Sequence, residues 1–271
     1  MIIYTCVTNG YDKFSDEHYY DPDVRYVAFT DGTVEVPEQW ESYPIKVEHE
    51  CPRRRSAHPK ICPHHYFEAG QETVWIDGCY TITKEFVDTS KSILSRSKLT
   101  HMIHPCRFNF VEEVMEGYVS SFNTKEQMVE IMEALMELDY DFRAYCSPVL
   151  ASIWRHIIPE MYEFHDIWWK YSLIGPNRDQ ISFDTARQLT GMQWQTIKHP
   201  AQNYWPEVGI DFDHRTGKKN RLGKHPQAGD LEQYKREDEM LKEIRRCTRL
   251  IPKLYYKHNF QSMIEANVLN R

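Results

Sequence analysis

The chain has no apolar run approaching the ~18 to 20 residues that a membrane-spanning helix needs, no excess of positive charge, and no even set of cysteines. Its first ten residues, MIIYTCVTNG, lack a charged stretch leading into a long apolar one, so no export signal is expected. A formal net charge of −7 excludes a global basic field that would attract nucleic acid, and any polyanion would need a local patch. Seven cysteines, at 6, 51, 62, 79, 106, 146 and 247, are scattered and odd in number. That usage suits reduced thiols in a cytoplasmic protein better than a disulfide framework. There is no internal repeat, and no linker long enough to separate the chain into a pair of domains. What is present, 41% apolar and 13% aromatic residues in a chain of 271, suffices for an ordinary globular core.

Four short runs, IIYTCV (2–7), RYVAFT (25–30), ETVWID (72–77) and LTHMI (99–103), are rich in β-branched or aromatic residues, as buried strands are. Alternating with helices or loops, they predict an α/β fold: a mostly parallel sheet with helices on both faces. In such sheets ligands gather beyond the carboxyl ends of strands, and Asn9, Asp31 and Asp77 stand at or just after such ends. Two helices are expected further on. In NTKEQMVEIMEALMEL (123–138), Met128, Ile131, Met132, Leu135 and Met136 recur at i, i+3, i+4, i+7 and i+8, with Asn123 and Glu126 as a capping box. That stripe reads as core. RDQISFDTARQLT (178–190) carries an acid in its first turn, where the helix dipole favours it. Beyond residue 195 the pattern weakens: HRTGKKNRLGKHP (214–226) is basic and glycine-punctuated, and a charged amphipathic helix is expected after it.

Several residues can carry chemistry. Asp77 ends its strand on a carboxylate, and Gly78 lets another group approach the backbone there. Such an acid can hold a metal-bound diphosphate or a substrate hydroxyl, or it can simply bond a turn. Asp31 ends YVAFTDG in the same way, although Asp-Gly is also a common turn. Arg178 can neutralise phosphate while Asp179, near a helix start, accepts a proton from an attacking hydroxyl. The simpler alternative is a helix cap with a surface ion pair. Arg53, Arg54, Arg55 and Lys60, in PRRRSAHPK, can balance these acids, bind a diphosphate, or form a solvated charge run. His104, Arg107, Glu112 and Glu113 follow the LTHMI strand on the ligand side of the sheet. Cys51, His58, Cys62, His64 and His65 form the one metal-like cluster. Two prolines interrupt it and its spacing matches no familiar zinc pattern, so a polar loop with one or two buried thiols is expected.

Taken in order, YTCVTNGYD, YVAFTD, PKICPHHYF with VWIDGCYTI, IHPCRFNFVEEV, IWRHIIPEM and WWKYSLIGPNRDQISF form a set. The set resembles the glycosyltransferase-like domain of plant proteins of mucilage synthesis and turgor regulation, a family with bacterial and phage members. The likeness spans residues 1–190, and Arg-Asp-Gln-apolar-Ser-Phe at 178–183 is its most specific piece. The resemblance implies a GT-A-like, Rossmann-type sheet with a helical C-terminal extension. Residues 1–195 would form the nucleotide-sugar-binding and catalytic core, and 196–271 an acceptor-side extension of the same domain. It implies a hexosyl- or pentosyltransferase moving a sugar from a nucleotide-sugar donor, UDP-linked, to an acceptor hydroxyl.

On that resemblance Thr8, Asn9, Gly10, Tyr11 and Asp31 would hold the nucleoside, and Arg55 and Lys60 would face the diphosphate. Asp77 would contact metal or sugar, and His104 and Arg107 would flank the donor. Asp179 would be the base, with Arg178 beside it and Gln180 orienting the sugar. GT-A enzymes usually present Asp-X-Asp to a divalent cation, whereas this chain has Asp77, Gly78 and Cys79. A Mn²⁺ or Mg²⁺ ion at Asp77 would need another ligand such as His214, or positive side chains would replace the metal.

The acceptor is less legible. The basic segment with Arg215, Lys218, Lys219, Arg221 and Lys224 is either a solvated loop or a contact for nucleic-acid phosphates. The second option is what a hydroxymethylated base in phage DNA would require. Trp194, Tyr204 and Trp205 can stack on bases or sugars, or belong to the core. Two other readings stay open: a hydrolase on the same scaffold, with water as acceptor, and a noncatalytic nucleotide-sugar or nucleic-acid binding module.

Overall fold

Alternation along the first strand sets the layering. In β1 (Ile2–Val7), Ile3 points to one face of a sheet while Ile2 and Tyr4 point to the other, and the two sets join different cores. In the computed structural model of the chain, the described residues are 1–104, 110, 113–114, 124–138, 140–146, 148–175, 178–198 and 210–212.

The sheet comprises β1, β2 (Arg25–Thr30), β3 (Trp40–Pro44), β4 (Glu72–Ile76), β6 (Leu99–Ile103), β7 (Pro148–His156) and β8 (Gln195–Lys198). Its order is β3-β2-β1-β4-β7-β6-β8. Every pairing is parallel except the two that β7 makes, with β4 and β6. A short β5 (Tyr80–Ile82) pairs separately with β9 (Ile210–Phe212), antiparallel. The expected mostly parallel α/β sheet is therefore present, and the four expected strands lie where the apolar runs put them. The third stops at Ile76, one residue short, although the Asp77 amide still donates to the Ala151 carbonyl of β7.

Helices cover both faces. On one side α2 (Lys84–Leu94), whose Thr83 hydroxyl accepts the Phe86 amide, buries Phe86, Val87, Ile93 and Leu94 against Ile3, Val74 and Trp154. On the other, α1 (Pro52–Ile61), α4 (Tyr162–Ser172) and α5 (Asp179–Thr190) bring Ile61, Phe164, Trp168 and Phe183 onto Tyr4, Trp75 and Ile153. A third cluster forms around α3 (Lys125–Glu137), where Ile131 and Leu135 are fully buried beside Phe110, Phe142 and Ile181. The methionine stripe is core, as expected, with Met128, Met132 and Met136 at its margin. A capping box is made one residue further on than the expected pair: Thr124 and Gln127 make the reciprocal bonds. The register of the first turn decides which hydroxyl faces the free amides.

Residues 51–65 are not a loop. They are α1, with Pro52 at its start and Pro59 within it, followed by a 3₁₀ turn at Pro63–His65. The division at 195/196 falls inside the sheet, since β8 runs across it and pairs with β6. No helix among the described residues is long and apolar enough to cross a membrane. Arg107, Glu112, Asn123, Tyr204, Trp205, His214, Arg215, Lys218, Lys219, Arg221, Lys224 and the expected C-terminal amphipathic helix lie outside the described residues.

Candidate active site

The strand order reverses at β1: the chain steps outward through β2 and β3 on one side, then returns to place β4 on the other. Two loops therefore diverge at the carboxyl ends of β1 and β4, the usual crevice for a ligand in an open α/β sheet. After β1 the chain makes a tight turn in which the Tyr11 amide donates to the Thr8 carbonyl at 3.0 Å. Asn9 and Gly10 take left-handed backbone at φ 60° and 59°, a conformation that asparagine and glycine tolerate best. The Asn9 amide donates to Asp31 Oδ2 at 3.0 Å, and the Gly10 amide donates to the Thr33 hydroxyl at 2.9 Å. Thr8 is buried beneath this turn. Asp31 also accepts from Arg55 at 3.3 Å. Burial alone would raise its pKa, but the Thr33 hydroxyl and the Asn9 and Thr33 amides outweigh that and hold it low.

Across the crevice, Asp77 follows β4. Its own amide donates to the Ala151 carbonyl of β7, so the antiparallel strand fixes the backbone at this point. Trp75, two residues earlier on the same strand face, donates its indole N–H to Asp77 Oδ1 at 2.7 Å. Gly78 permits the close approach read from the sequence: a Cβ there would stand 2.9 Å from Val7 Cγ2 and 3.5 Å from Asp12.

Lys60, in the last turn of α1, joins two acids. Its ammonium lies 3.3 Å from Asp77 Oδ1 and 2.6 Å from Asp179 Oδ2, and 5.4 Å from the Trp75 ring centre. The Lys60 side chain is only 9% exposed, whereas Asp77 keeps 38% and Asp179 keeps 22%. Both acids are nonetheless strongly desolvated. Desolvation raises Asp77, which Lys60 only partly offsets, and the neighbouring Asp179 pushes it the same way. Desolvation would also raise Asp179, but the shorter contact to Lys60 wins and its pKa falls below the ordinary value. Desolvation likewise opposes the charge on Lys60, and the two carboxylates outweigh it. Arg53 is exposed at the start of α1, close enough to feel the charges of Asp179 and Asp77.

Asp31, Asp77 and Asp179 thus lie along one edge of the sheet, the first reaching Arg55 and the other two reaching Lys60 of the same helix. Residues that the sequence grouped only loosely separate here. Arg178 donates through Nε to Glu113 at 3.0 Å, and Glu113 is fully buried, so the guanidinium is balanced by a carboxylate and is not a surface ion pair. Gln180 has a buried Oε1 with no hydrogen-bond partner beside Asp179. His104 is buried just past β6. Arg54, grouped with the cations, instead donates to the Gly175 carbonyl at 2.8 Å. Trp75 was not singled out from the sequence, although its i, i+2 spacing from Asp77 puts the two on one strand face.

The pair of acids does not fit a resident Mn²⁺ or Mg²⁺ as it stands, because the Lys60 ammonium holds the point between Asp77 and Asp179 that a shared cation would need. Among the described residues, the groups able to hold a metal ion lie elsewhere: His58, Cys62 and His65, and Cys62, His64 and Asp166. The segment expected to be a polar loop with buried thiols does bury Cys62, and α1 together with the 3₁₀ turn after it brings its histidines close to that thiol. Desolvation, then the neighbouring His65 and His64, drives His58 down to about 4.

No protein-family model matches this chain, and no curated protein matches it.

Proposed function

We propose that the chain is a GT-A-like glycosyltransferase that moves a sugar from a nucleotide-sugar donor, UDP-linked, to an acceptor hydroxyl. The observation that carries this reading is the Asp77–Lys60–Asp179 arrangement at the carboxyl edge of a sheet, beside the turn that follows β1. The strand reversal at β1 supports a nucleotide in that crevice, with Thr8, Asn9, Tyr11 and Asp31 towards the nucleoside.

Glycosyl transfer asks for three things: a leaving diphosphate neutralised, an acceptor oxygen deprotonated, and positive charge tolerated at the sugar carbon. Arg55 and Lys60 of α1 meet the first. Asp179 meets the second only after a change of partner. While Lys60 stays at 2.6 Å, Asp179 is a weak proton acceptor. A diphosphate entering the crevice competes for that ammonium. Once Lys60 turns to phosphate, Asp179 is left desolvated beside Asp77, and a carboxylate facing another takes up a proton more readily. Donor binding thus converts a neutralised ion into a base. Asp77, still held by the Trp75 indole, is the sugar contact and an electrostatic partner for charge at the sugar carbon. Gln180, Arg178 and His104 complete the surroundings.

No step in this scheme needs a divalent cation at Asp77. On the acceptor side, a hydroxymethylated base in DNA would use Arg215, Lys218, Lys219 and Trp205, which lie outside the described residues. The thiols of Cys6, Cys62 and Cys146, which form no disulfide, suit a reducing, cytoplasmic setting.

The test is a panel of nucleotide sugars added to the purified chain and read by thermal shift, since a ligand that binds only the native state must raise the melting temperature. A UDP-sugar is expected to stabilise the protein and to be consumed faster when acceptor is present. Stabilisation by no nucleotide sugar at millimolar concentration overturns the reading. Consumption independent of acceptor would replace transferase by hydrolase.

A further inference from the structure

At the carboxyl-terminal end of α1 and in the turn that follows it, three residues come together. His58 lies in the last turn of α1, Cys62 caps that helix with non-helical backbone at φ −112° and ψ 59°, and His65 ends the 3₁₀ turn at Pro63–His65, which folds back beside them. Their possible ligand atoms all lie within 4.8 Å of one another. We propose that His58, Cys62 and His65 form a three-ligand site for Zn²⁺ or a similar transition-metal ion, with its fourth position open to solvent beside exposed His65.

The ring orientations carry the argument. His58 Nε2 and His65 Nδ1 face each other at 3.4 Å. Two nitrogens each about 2.0 to 2.1 Å from a tetrahedral zinc would be separated by about 3.3 Å. The outward nitrogens have partners of the kind that orient metal-bound imidazoles: His58 Nδ1 pairs with the Tyr66 hydroxyl at 2.7 Å, and His65 Nε2 lies 3.8 Å from the Asp166 carboxylate. Tyr66 is itself fixed by accepting the Lys46 amide at 3.1 Å. The overlapping trio of Cys62, His64 and Asp166 is the poorer set. It supplies a single imidazole, and the other nitrogen of that ring, His64 Nδ1, is buried with no hydrogen-bond partner.

Two imidazoles and a thiolate are a borderline-soft donor set, suited to Zn²⁺ and ill suited to Mg²⁺ or Ca²⁺. On binding, the Cys62 thiol loses its proton to solvent and the sulfur bonds the ion. Thiolate and Asp166 together then balance the two charges of the metal. The site lies at the carboxyl-terminal end of α1, and Lys60 falls between two of its ligands in the chain. A bound ion would therefore clamp the segment that presents Lys60 to Asp77 and Asp179, tying it through Asp166 to α4.

The test uses the full-length chain, stripped of metal and titrated with Co²⁺ alone. One equivalent is expected to bind, with visible bands of tetrahedral intensity and a near-ultraviolet thiolate-to-cobalt charge-transfer band, both abolished by Zn²⁺. The Cys62→Ser protein should lose the charge-transfer band, and the Cys51→Ser protein should keep it. His58→Ala and His65→Ala should each weaken Co²⁺ binding at least tenfold, while His64→Ala should change it less than threefold. Failure of the wild-type chain to bind one equivalent overturns the proposal without recourse to any variant. So does a charge-transfer band that survives Cys62→Ser in a protein of native circular dichroism, or a larger loss from His64→Ala than from His65→Ala. None of these readings depends on glycosyl transfer.

Discussion

The ammonium of Lys60, in the last turn of α1, sits 2.6 Å from Oδ2 of Asp179, in the first turn of α5. A buried ammonium shared by two acids has a defined chemical state: it keeps its proton, lowers the nearer carboxylate, and leaves the farther one raised. The candidate site therefore contains one acid already neutralised and one that resists ionisation.

Replacing Lys60 by Met removes the cation offered to a diphosphate. Affinity for the nucleotide-sugar donor is expected to fall at least tenfold, about 1.4 kcal/mol or more, measured by titration calorimetry. Affinity within threefold of wild type would show that α1 does not face the diphosphate.

The same substitution should invert a pH dependence. In the native protein Asp179 has a pKa below its ordinary 3.8, so its contribution to stability is complete above that value and is lost as pH falls through the lowered one. Without Lys60, desolvation and mutual repulsion raise both Asp77 and Asp179. A raised carboxylate favours the folded state only while protonated, so stability then falls as pH rises above about 4. Melting temperatures of Lys60→Met at pH 5 and pH 8 should show the variant losing more, relative to wild type, at pH 8. An equal loss at both pH values would contradict the shared-ammonium description.

Asp179→Asn should lower transfer by about 10² to 10⁴, the usual worth of a positioned general base, while donor affinity stays within about threefold. Asp77→Asn, which keeps an acceptor for the Trp75 indole but loses the charge, should weaken donor and turnover together. Steady-state kinetics with a calorimetric donor titration separates the two. Full transfer by Asp179→Asn would move the base to another residue.

Gly175→Ala should destabilise the fold by about 2 kcal/mol or more. Gly175 has φ 64°, and a Cβ there would stand 2.6 Å from Ile131 Cβ and 2.7 Å from the Gln127 carbonyl of α3. Gly191 has nearly the same φ, 65°, but nothing within 4 Å, so Gly191→Ala isolates the backbone strain and should cost about 1 kcal/mol. Denaturant unfolding of the two variants measures the difference. Equal losses would mean that α3 yields to the added methyl.

The strands most legible in the sequence were those whose β-branched and aromatic runs are short and bounded by turn residues: β1, β2, β4 and β6. Among the strands not read as such, β7 is the antiparallel strand between β4 and β6. Its sequence, PVLASIWRH, is almost wholly buried, and a fully buried strand has no polar alternation to mark it. β8 and β9 are short, and pairing across the fold defines them more than their own composition does. At the candidate site the acids were visible because each ends a strand or opens a helix. Arg178 was legible as a cation but not as the partner of a buried glutamate, since Glu113 lies 65 positions away.

Local chemistry alone decided that Asp31 and Asp77 would follow strands and that Asp179 would open a helix. Spacing within an element is enough for such statements, because helices and strands have fixed periods. Tertiary structure decided that Lys60 stands between Asp77 and Asp179 and that Asp31 takes Arg55. It also decided that the two carboxylates neighbouring Lys60 move in opposite directions. Proton affinity depends on burial and on charges a few ångströms away, and those distances arise only when distant stretches of the chain pack together.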